Sequence, residues 1–292
     1  MTQSRTIAFA LVGFAYVIAH LVGSAVIGAL EGRDALLVAA AADVAATVTV
    51  FVFSRAFNNS SFYDAYWSVA PISIAAWWVF GPGRLPDGPS ARQLLVLGLV
   101  AAWGLRLTFN WARGWPALAH EDWRYVDLRE KTGRAYWLAS FFGLHFFPTV
   151  LVLLGLVPLY SALVTTPAPL SWLDAVAAAI TAGAIVIETV ADEQLRAFRA
   201  SSPGRICNVG LWRWSRHPNY FGELSFWAGA WLFGVAAGAP AWSIVGVLAM
   251  IGLFNGASIP MAERRSLARR PGFAQHQSRV SRLVPWPPGP EA

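Results

Sequence analysis

Apolar residues in this chain fall into eight runs, at about 7–29, 36–54, 65–81, 93–111, 137–163, 172–190, 220–237 and 241–260. A bilayer's hydrocarbon core is crossed by roughly 20 helical residues, and the third and seventh runs are a little short of that. Within hydrocarbon the backbone has no water to bond, so such runs fold as helices. The chain is 56% hydrophobic and only 13% charged, about half the charge of an ordinary soluble domain. The expected fold is all-α, a polytopic integral membrane bundle of about seven to eight transmembrane helices. A single arginine precedes the first run, which lacks the small-residue cleavage site of a secretion signal, so it counts as a helix.

Charge orients the bundle. Eighteen of the 22 Lys and Arg residues lie at the termini or in the even-numbered loops, and only Arg33, Arg84 and Arg92 lie in the odd-numbered ones. By the positive-inside rule both termini are cytoplasmic. The sequence pI near 10 therefore requires no nucleic acid, because a basic face toward anionic lipid or a phosphorylated cofactor accounts for it. Membrane lipid is the expected partner, and the chain is expected to be a monomer. The many Ala and Arg residues beside a single Lys suit a GC-rich bacterial genome and hence an inner membrane. Cys207 stands alone, so no intramolecular disulfide or CxxC metal site can form. The five histidines, at 20, 120, 145, 217 and 276, have no ligand spacing, and no metal is expected.

Unusual polar residues concentrate in 55–67, 106–136, 188–223 and 260–286. The topology puts all four segments at the cytoplasmic side, which points to one site built from separate segments. The Gly- and Pro-rich run 81–90 and Thr166-Pro167-Ala168-Pro169 read as turns on the opposite side. The densest block, Arg216-His217-Pro218-Asn219-Tyr220-Phe221-Gly222-Glu223, runs directly into an apolar span. Dehydrating so many polar groups is costly unless each has a partner, and a bound polar cofactor would supply partners. Positive-inside charge explains Arg216 but not His217, Asn219 and Glu223 together. Upstream, Glu188, Asp192, Glu193, Arg196 and Arg199 have helical spacing, which fits either ordinary ion pairs or a ligand face. Arginines with Gly turns and aromatics between them suit a diphosphate with a nearby ribose or adenine.

The ordered series Gly210-Leu211-Trp212-Arg213-Trp214-Ser215-Arg216-His217-Pro218-Asn219-Tyr220-Phe221-Gly222-Glu223 resembles the C-terminal pattern of the membrane steroid 5α-reductase family and its bacterial relatives. Asp192-Glu193-Gln194-Leu195, Ile259-Pro260-Met261-Ala262-Glu263, Arg270-Pro271-Gly272-Phe273 and Leu283-Val284-Pro285-Trp286 are similar to the same family. In the N-terminal half, Asn59, Ser61, Asp64 and Trp67, then Trp103-Gly104 with Arg106-Leu107, and Glu121-Asp122-Trp123-Arg124-Tyr125 match its bacterial branch. The resemblance runs from about 55 to 286. It divides the chain into two N-terminal helices, 1–54, and a catalytic membrane domain, 55–292.

The resemblance implies NADPH held at the cytoplasmic side and hydride transfer to the C=C of a lipophilic α,β-unsaturated ketone such as a 3-oxo-Δ4-steroid. It places cofactor contacts on Asp192, Arg199, Arg205, Asn219, Glu223 and Glu263, with Arg106 and Arg113 from the fourth span. Arg216, His217 and Tyr220 join them from the polar block. The chain departs from the animal enzymes at Glu188, Asn110 and Glu263, where those have Asn, Tyr and His. In the family a carboxylate and a tyrosine polarise the substrate carbonyl, roles that Asp64 and Tyr66 would match; a helix cap for Asp64 and interfacial anchoring for Tyr66 are the plain alternatives. The Arg-His-Pro-x-Tyr core is shared with isoprenylcysteine carboxyl methyltransferases, so an S-adenosylmethionine-dependent methyltransferase is a second function class. A non-enzymatic transporter or scaffold is a third. Trp67, Trp77, Trp78 and Trp103 read as packing or belt residues, His145 as a satisfied core histidine, and Arg264, Arg265, Arg269 and Arg270 as lipid-headgroup contacts. Asp43, inside the second run, has no evident role.

Overall fold

The computed structural model describes residues 4–81, 88–164 and 169–290. Among them there is no strand, and every apolar run is helical. The helices are α1 (Arg5–Ala29), α2 (Ala35–Ala56), α3 (Tyr66–Phe80), α4 (Ala91–Gly114), α5 (Trp123–Thr132), α6 (Tyr136–Ser140) and α7 (Phe147–Leu163), then α8 (Trp172–Ser201), α9 (Pro218–Ala236), α10 (Val245–Leu253), α11 (Ile259–Arg269) and α12 (Phe273–Arg279). A 3-10 turn, Ser60–Tyr63, precedes α3. One π turn, Phe141–Phe146, joins α6 to α7, and another, Phe254–Ser258, joins α10 to α11. Six helical segments among the described residues are long and apolar enough to cross a membrane. α3 has 15 residues, and α9 begins with the polar block. The described residues make an all-helical fold, consistent with an integral membrane protein. Most of the turn expected at 81–90, and residues 166–168 of the second turn, lie outside the described residues.

The chain forms two compact units, Met1–Val164 and Thr165–Ala292. In the first, α1 turns Ala8, Val12, Ala15, Ala19 and Gly23 inward, while Ile7, Phe14, Val17 and Leu21 are exposed. Small residues at spacings of three and four let backbones approach where lipid offers no hydrophobic drive; a Cβ on Gly23 would stand 3.5 Å from the Ala42 carbonyl of α2. Arg5 donates to the Ala112 carbonyl (2.6 Å) and the Arg113 carbonyl (3.2 Å), placing a cation on the negative end of α4. Helix starts follow local chemistry. Asp34 caps α2, and Ser90 with Gln93 forms a capping box on α4. α2 also packs on the 3-10 turn, α3 and α7, so the boundary at 54 marks the end of the resemblance and not a break in packing.

In the second unit α8 and α9 run antiparallel, since Gly222 meets Ala184 and Glu188 while Gly229 meets Ala177 and Thr181. A Cβ on Gly229 would stand 2.2 Å from Thr181 Oγ1 and 3.2 Å from the Ala177 carbonyl. The two glycines, seven residues apart, keep one α9 face bare. The C-terminal tail runs alongside 214–217: Arg216 N–H donates to Ser281 O (2.8 Å) and Trp286 N–H to Trp214 O (2.9 Å). Gly229→Leu is predicted to lower the melting temperature in detergent by several degrees, because overpacking costs about 1–3 kcal/mol. Gly13→Leu, where nothing lies within 4 Å, should leave it unchanged. Equal melting temperatures for the two variants would refute the close-approach account.

Candidate functional site

The sequence motifs interlock within each unit. In the first, Asn59 accepts from Ser61 N–H (2.7 Å) and donates to the carbonyls of Leu118 (2.7 Å) and His120 (3.0 Å). Ser60 N–H donates to Glu121 (2.7 Å). Tyr125 donates to Asp64. Trp67 meets Trp103 edge to face at 5.8 Å, and Gly104 lets α4 approach the Ser68 carbonyl of α3. The three N-terminal motifs are thus one packed constellation. Glu121 also accepts from Tyr136 (3.2 Å) and Arg129 (3.2 Å).

Asp64 and Tyr66 take different partners. Tyr66 turns inward, and its hydroxyl donates to Asp43 Oδ1 at 2.9 Å, while Asp64 takes Tyr125. The physical reason is helical direction: α3 starts at Tyr66, whose ring lies in the core with Tyr16 and Tyr63, whereas Asp64 belongs to the preceding turn. Nor does Asp64 cap α3, whose N-cap residue is Ala65 and carries no side-chain cap. Burial pushes the Asp64 carboxyl up from 3.8 to about 6, against the pull of the Tyr125 hydrogen bond and the Arg124 charge. Asp43 is 5% exposed, and no cation pairs with it among the described residues. Its sequence signal was a lone carboxylate inside an apolar run, which is itself a mark of function in a membrane helix; the sequence did not disclose its partner.

Around this pair lies a buried hydroxyl network. Thr149 Oγ1 meets Thr47 Oγ1 (2.9 Å), Tyr63 OH (2.7 Å) and the His145 carbonyl (2.9 Å). His145, 0% exposed, has Nδ1 3.0 Å from the Ser140 carbonyl and Nε2 3.0 Å from Ser54 Oγ. A carbonyl only accepts, so Nδ1 carries the hydrogen and Nε2 accepts from Ser54. It is a satisfied core histidine. Ser60 Oγ links Ser140 (3.0 Å) to Tyr136 (2.7 Å). Arg106 and Arg113 lie on α4 of the same unit, half-buried, and Arg113 donates to Asn110 (2.9 Å).

The second unit gathers the remaining cofactor candidates. Asn219 Nδ2 lies 3.3 Å from Asp192 Oδ1. Glu223 accepts from Trp227 Nε1 (2.8 Å), and buried Glu188 lies against Gly222. Within the Glu188–Arg199 stripe Arg196 pairs with Glu193, while Asp192 faces Asn219 of α9. Gln194 accepts from Leu211 N–H (2.8 Å), joining two of the motifs. Arg216 reaches Glu263 (2.7 Å) and the carbonyls of Gln277 (2.9 Å) and Val280, clamping the tail to the start of α9. His217 stacks on Tyr220 at 5.3 Å and 6°, with Nε2 3.2 Å from Glu263 Oε1. Burial lowers its pKa to about 4 although Glu263 raises it; it is therefore neutral at pH 7, with Nε2–H donating and Nδ1 left as an acceptor. Arg199 and Arg205 are exposed, so their guanidiniums are open to an anionic ligand.

The fold and these two polar clusters define an all-helical membrane protein with chemistry-bearing side chains in both units. Residues 50–280 match the model of a protein family of unknown function, DUF1295, and the chain belongs to that family. It is similar to the uncharacterized protein C594.04c of Schizosaccharomyces pombe, 29% identical over 255 residues that cover 78% of this chain and 73% of that one. No solved structure matches the chain.

The raised Asp64 carboxyl sets a pH dependence. The folded state holds this proton more tightly than the unfolded state, so its contribution to stability falls as pH rises from about 4 to about 6 and is level above. Asp64→Asn removes that term. The melting temperature of Asp64→Asn minus that of wild type should therefore increase across this window, as measured in detergent by thermal unfolding. A constant difference would exclude the assignment.

Proposed function

We propose that this protein is an NADPH-dependent membrane reductase that transfers hydride to the C=C of a lipophilic α,β-unsaturated ketone, of which a 3-oxo-Δ4-steroid is the model substrate. The observation that carries the reading is the Tyr66–Asp43 hydrogen bond of 2.9 Å inside the apolar core. A phenol backed by a carboxyl group, away from water, suits polarisation of a ketone oxygen as enolate charge develops there. In this reading Asp43 carries a proton in the reactive form and gives it to the Tyr66 oxygen, so that the single Tyr66 hydrogen is free for the substrate carbonyl, while Asp64 and Tyr125 fasten the 118–125 segment to the 3-10 turn. Both termini and the cofactor residues face the cytoplasm, in keeping with the basic loops, and a bacterial inner membrane suits the composition.

The side chains of the second unit are of the kinds NADPH requires. Exposed Arg199 and Arg205 would take its phosphates. Asp192, Asn219 and Glu223 offer acceptors and an amide to ribose or nicotinamide. Arg216, with Glu263, His217 and Gln277, would hold the α9 start and the tail in place beneath them. Bound NADPH would supply the hydride. The shared Arg-His-Pro-x-Tyr core keeps the S-adenosylmethionine methyltransferase as the contrasting reading, but a methyl transfer has no use for a carbonyl-polarising Tyr66–Asp43 pair.

The test is NADPH oxidation by protein purified in detergent with a 3-oxo-Δ4-steroid. Asp43→Asn and Tyr66→Phe are each predicted to lower kcat by roughly 100-fold, in line with losing a preorganised donor, with NADPH affinity nearly unchanged. Asp64→Asn is predicted to stay within about threefold of wild type. Asn219→Ala is predicted to abolish NADPH binding while the protein still inserts and purifies. Co-purified S-adenosylmethionine, or full activity of Asp43→Asn and Tyr66→Phe, would overturn the reading.

A further inference from the structure

The closing motif Leu283-Val284-Pro285-Trp286 has no place in the proposed chemistry, yet the second unit holds it firmly. Trp286 N–H donates to Trp214 O (2.9 Å), Ser215 Oγ to Leu283 O (2.7 Å) and Arg216 N–H to Ser281 O (2.8 Å). Gly289 N–H then donates to Arg279 O at 2.9 Å. Despite this fastening, Val284 and Trp286 are 56% and 68% exposed, and Trp214 beside them is 44% exposed. Two indoles and a valine are thus fixed in an ordered segment with apolar surface uncovered. Such a patch marks contact with a partner or a membrane.

Register on α8 fixes the depth of the patch. Apart from Glu188, α8 is apolar as far as Val190 and turns charged at Asp192, Glu193 and Arg196. The hydrocarbon boundary therefore lies near Ala191. Trp212 Nε1 donates to the Ala191 carbonyl (2.8 Å), and Leu211 N–H to Gln194 (2.8 Å). The N–H groups of Trp214 and Ser215 both donate back to Leu211 O, which keeps them close to that level. α9 gives the same depth from the other side. Gly222 meets Ala184 and Glu188, so Pro218, one turn earlier on an antiparallel helix, also stands near Ala191. Indole has an apolar body and a polar N–H, and it concentrates at this depth in membrane proteins. Exposed Arg213, next to Trp214, adds a guanidinium suited to lipid phosphate.

We propose that Trp214, Val284 and Trp286 form an interfacial anchor that seats the C-terminal tail in the lipid headgroup layer, with Arg213 on the phosphates. The anchor holds the mouth of α9, because Arg216 N–H bonds the same tail and Asn219 follows within one turn. It does not depend on the reductase reading.

The experiment measures the immersion depth of a spin label by electron paramagnetic resonance, with the full chain in nanodiscs of mixed zwitterionic and anionic phospholipid. Cys207 is the chain's one cysteine and is buried, so Cys207→Ser is the background for single labels at Val284→Cys, Ala182→Cys and Ala200→Cys. Ala182 and Ala200 are exposed on α8 and span roughly 27 Å of it, at about 1.5 Å per residue. The Val284 label is expected near the midpoint of that ruler, and less open to a water-soluble nickel chelate than the Ala200 label. Trp214→Ala/Trp286→Ala should move it about 5 Å or more toward water. Trp214→Tyr/Trp286→Tyr, which keeps interfacial aromatics, should leave it in place. A Val284 label as open to the chelate as the Ala200 label would overturn the proposal and leave the patch to a soluble partner protein. A depth unchanged by the alanine variant would overturn it as well. Should the alanine variant fail to fold, the depth of the Val284 label with both tryptophans present decides by itself.

Discussion

The structure depends on one constraint: a polar group buried among apolar helices must find its partner inside the protein. In the first unit it is met by coupling distant segments. Asn59 reaches two carbonyls near residue 120, Ser60 gives its N–H to Glu121, and Arg5 closes the end of α4. Thr149 collects Thr47 and Tyr63 on one oxygen. The bonds tie together turns and helix ends that apolar packing alone would leave free to slide. Small residues complete the arrangement, because Gly104, Gly222 and Gly229 permit backbone approaches that any side chain would block.

The same constraint separates polar residues with a structural task from those left with chemistry to offer. Arg216 would read as a phosphate ligand by type and position, yet its guanidinium bonds Glu263 and two tail carbonyls. Glu121 is enclosed by a backbone N–H, a phenol and an arginine. Asp43 differs: its carboxylate faces a phenol with no cation among the described residues. Arg199 and Arg205 differ as well, being exposed. These contrasts, more than the number of polar residues, give the proposed reaction its named residues.

Much of the architecture was written in the order of the residues. Eight apolar runs gave eight helical segments, and the two runs judged short became the 15-residue α3 and the polar-headed α9. Hydropathy is local, so a window of about 20 residues carries it. The motifs were legible too, as clusters of polar and aromatic residues out of keeping with their surroundings. Their interlocking was not, because Asp64 and Tyr125 are 61 residues apart and Arg216 and Glu263 are 47 apart.

What the sequence determined by itself was therefore the solvent, the helix class, the positions of the helices and the segments that hold the chemistry. What only the tertiary structure decided was which groups share a hydrogen bond. Asp64 and Tyr66, two residues apart, look like natural partners, but the backbone turns between them and each finds its mate elsewhere, Tyr125 for one and Asp43 for the other. Spacing along a chain fixes the face a side chain takes on its own helix. Its partner is fixed by which neighbouring helix packs against that face, and that choice rests on the summed contacts of all the helices together.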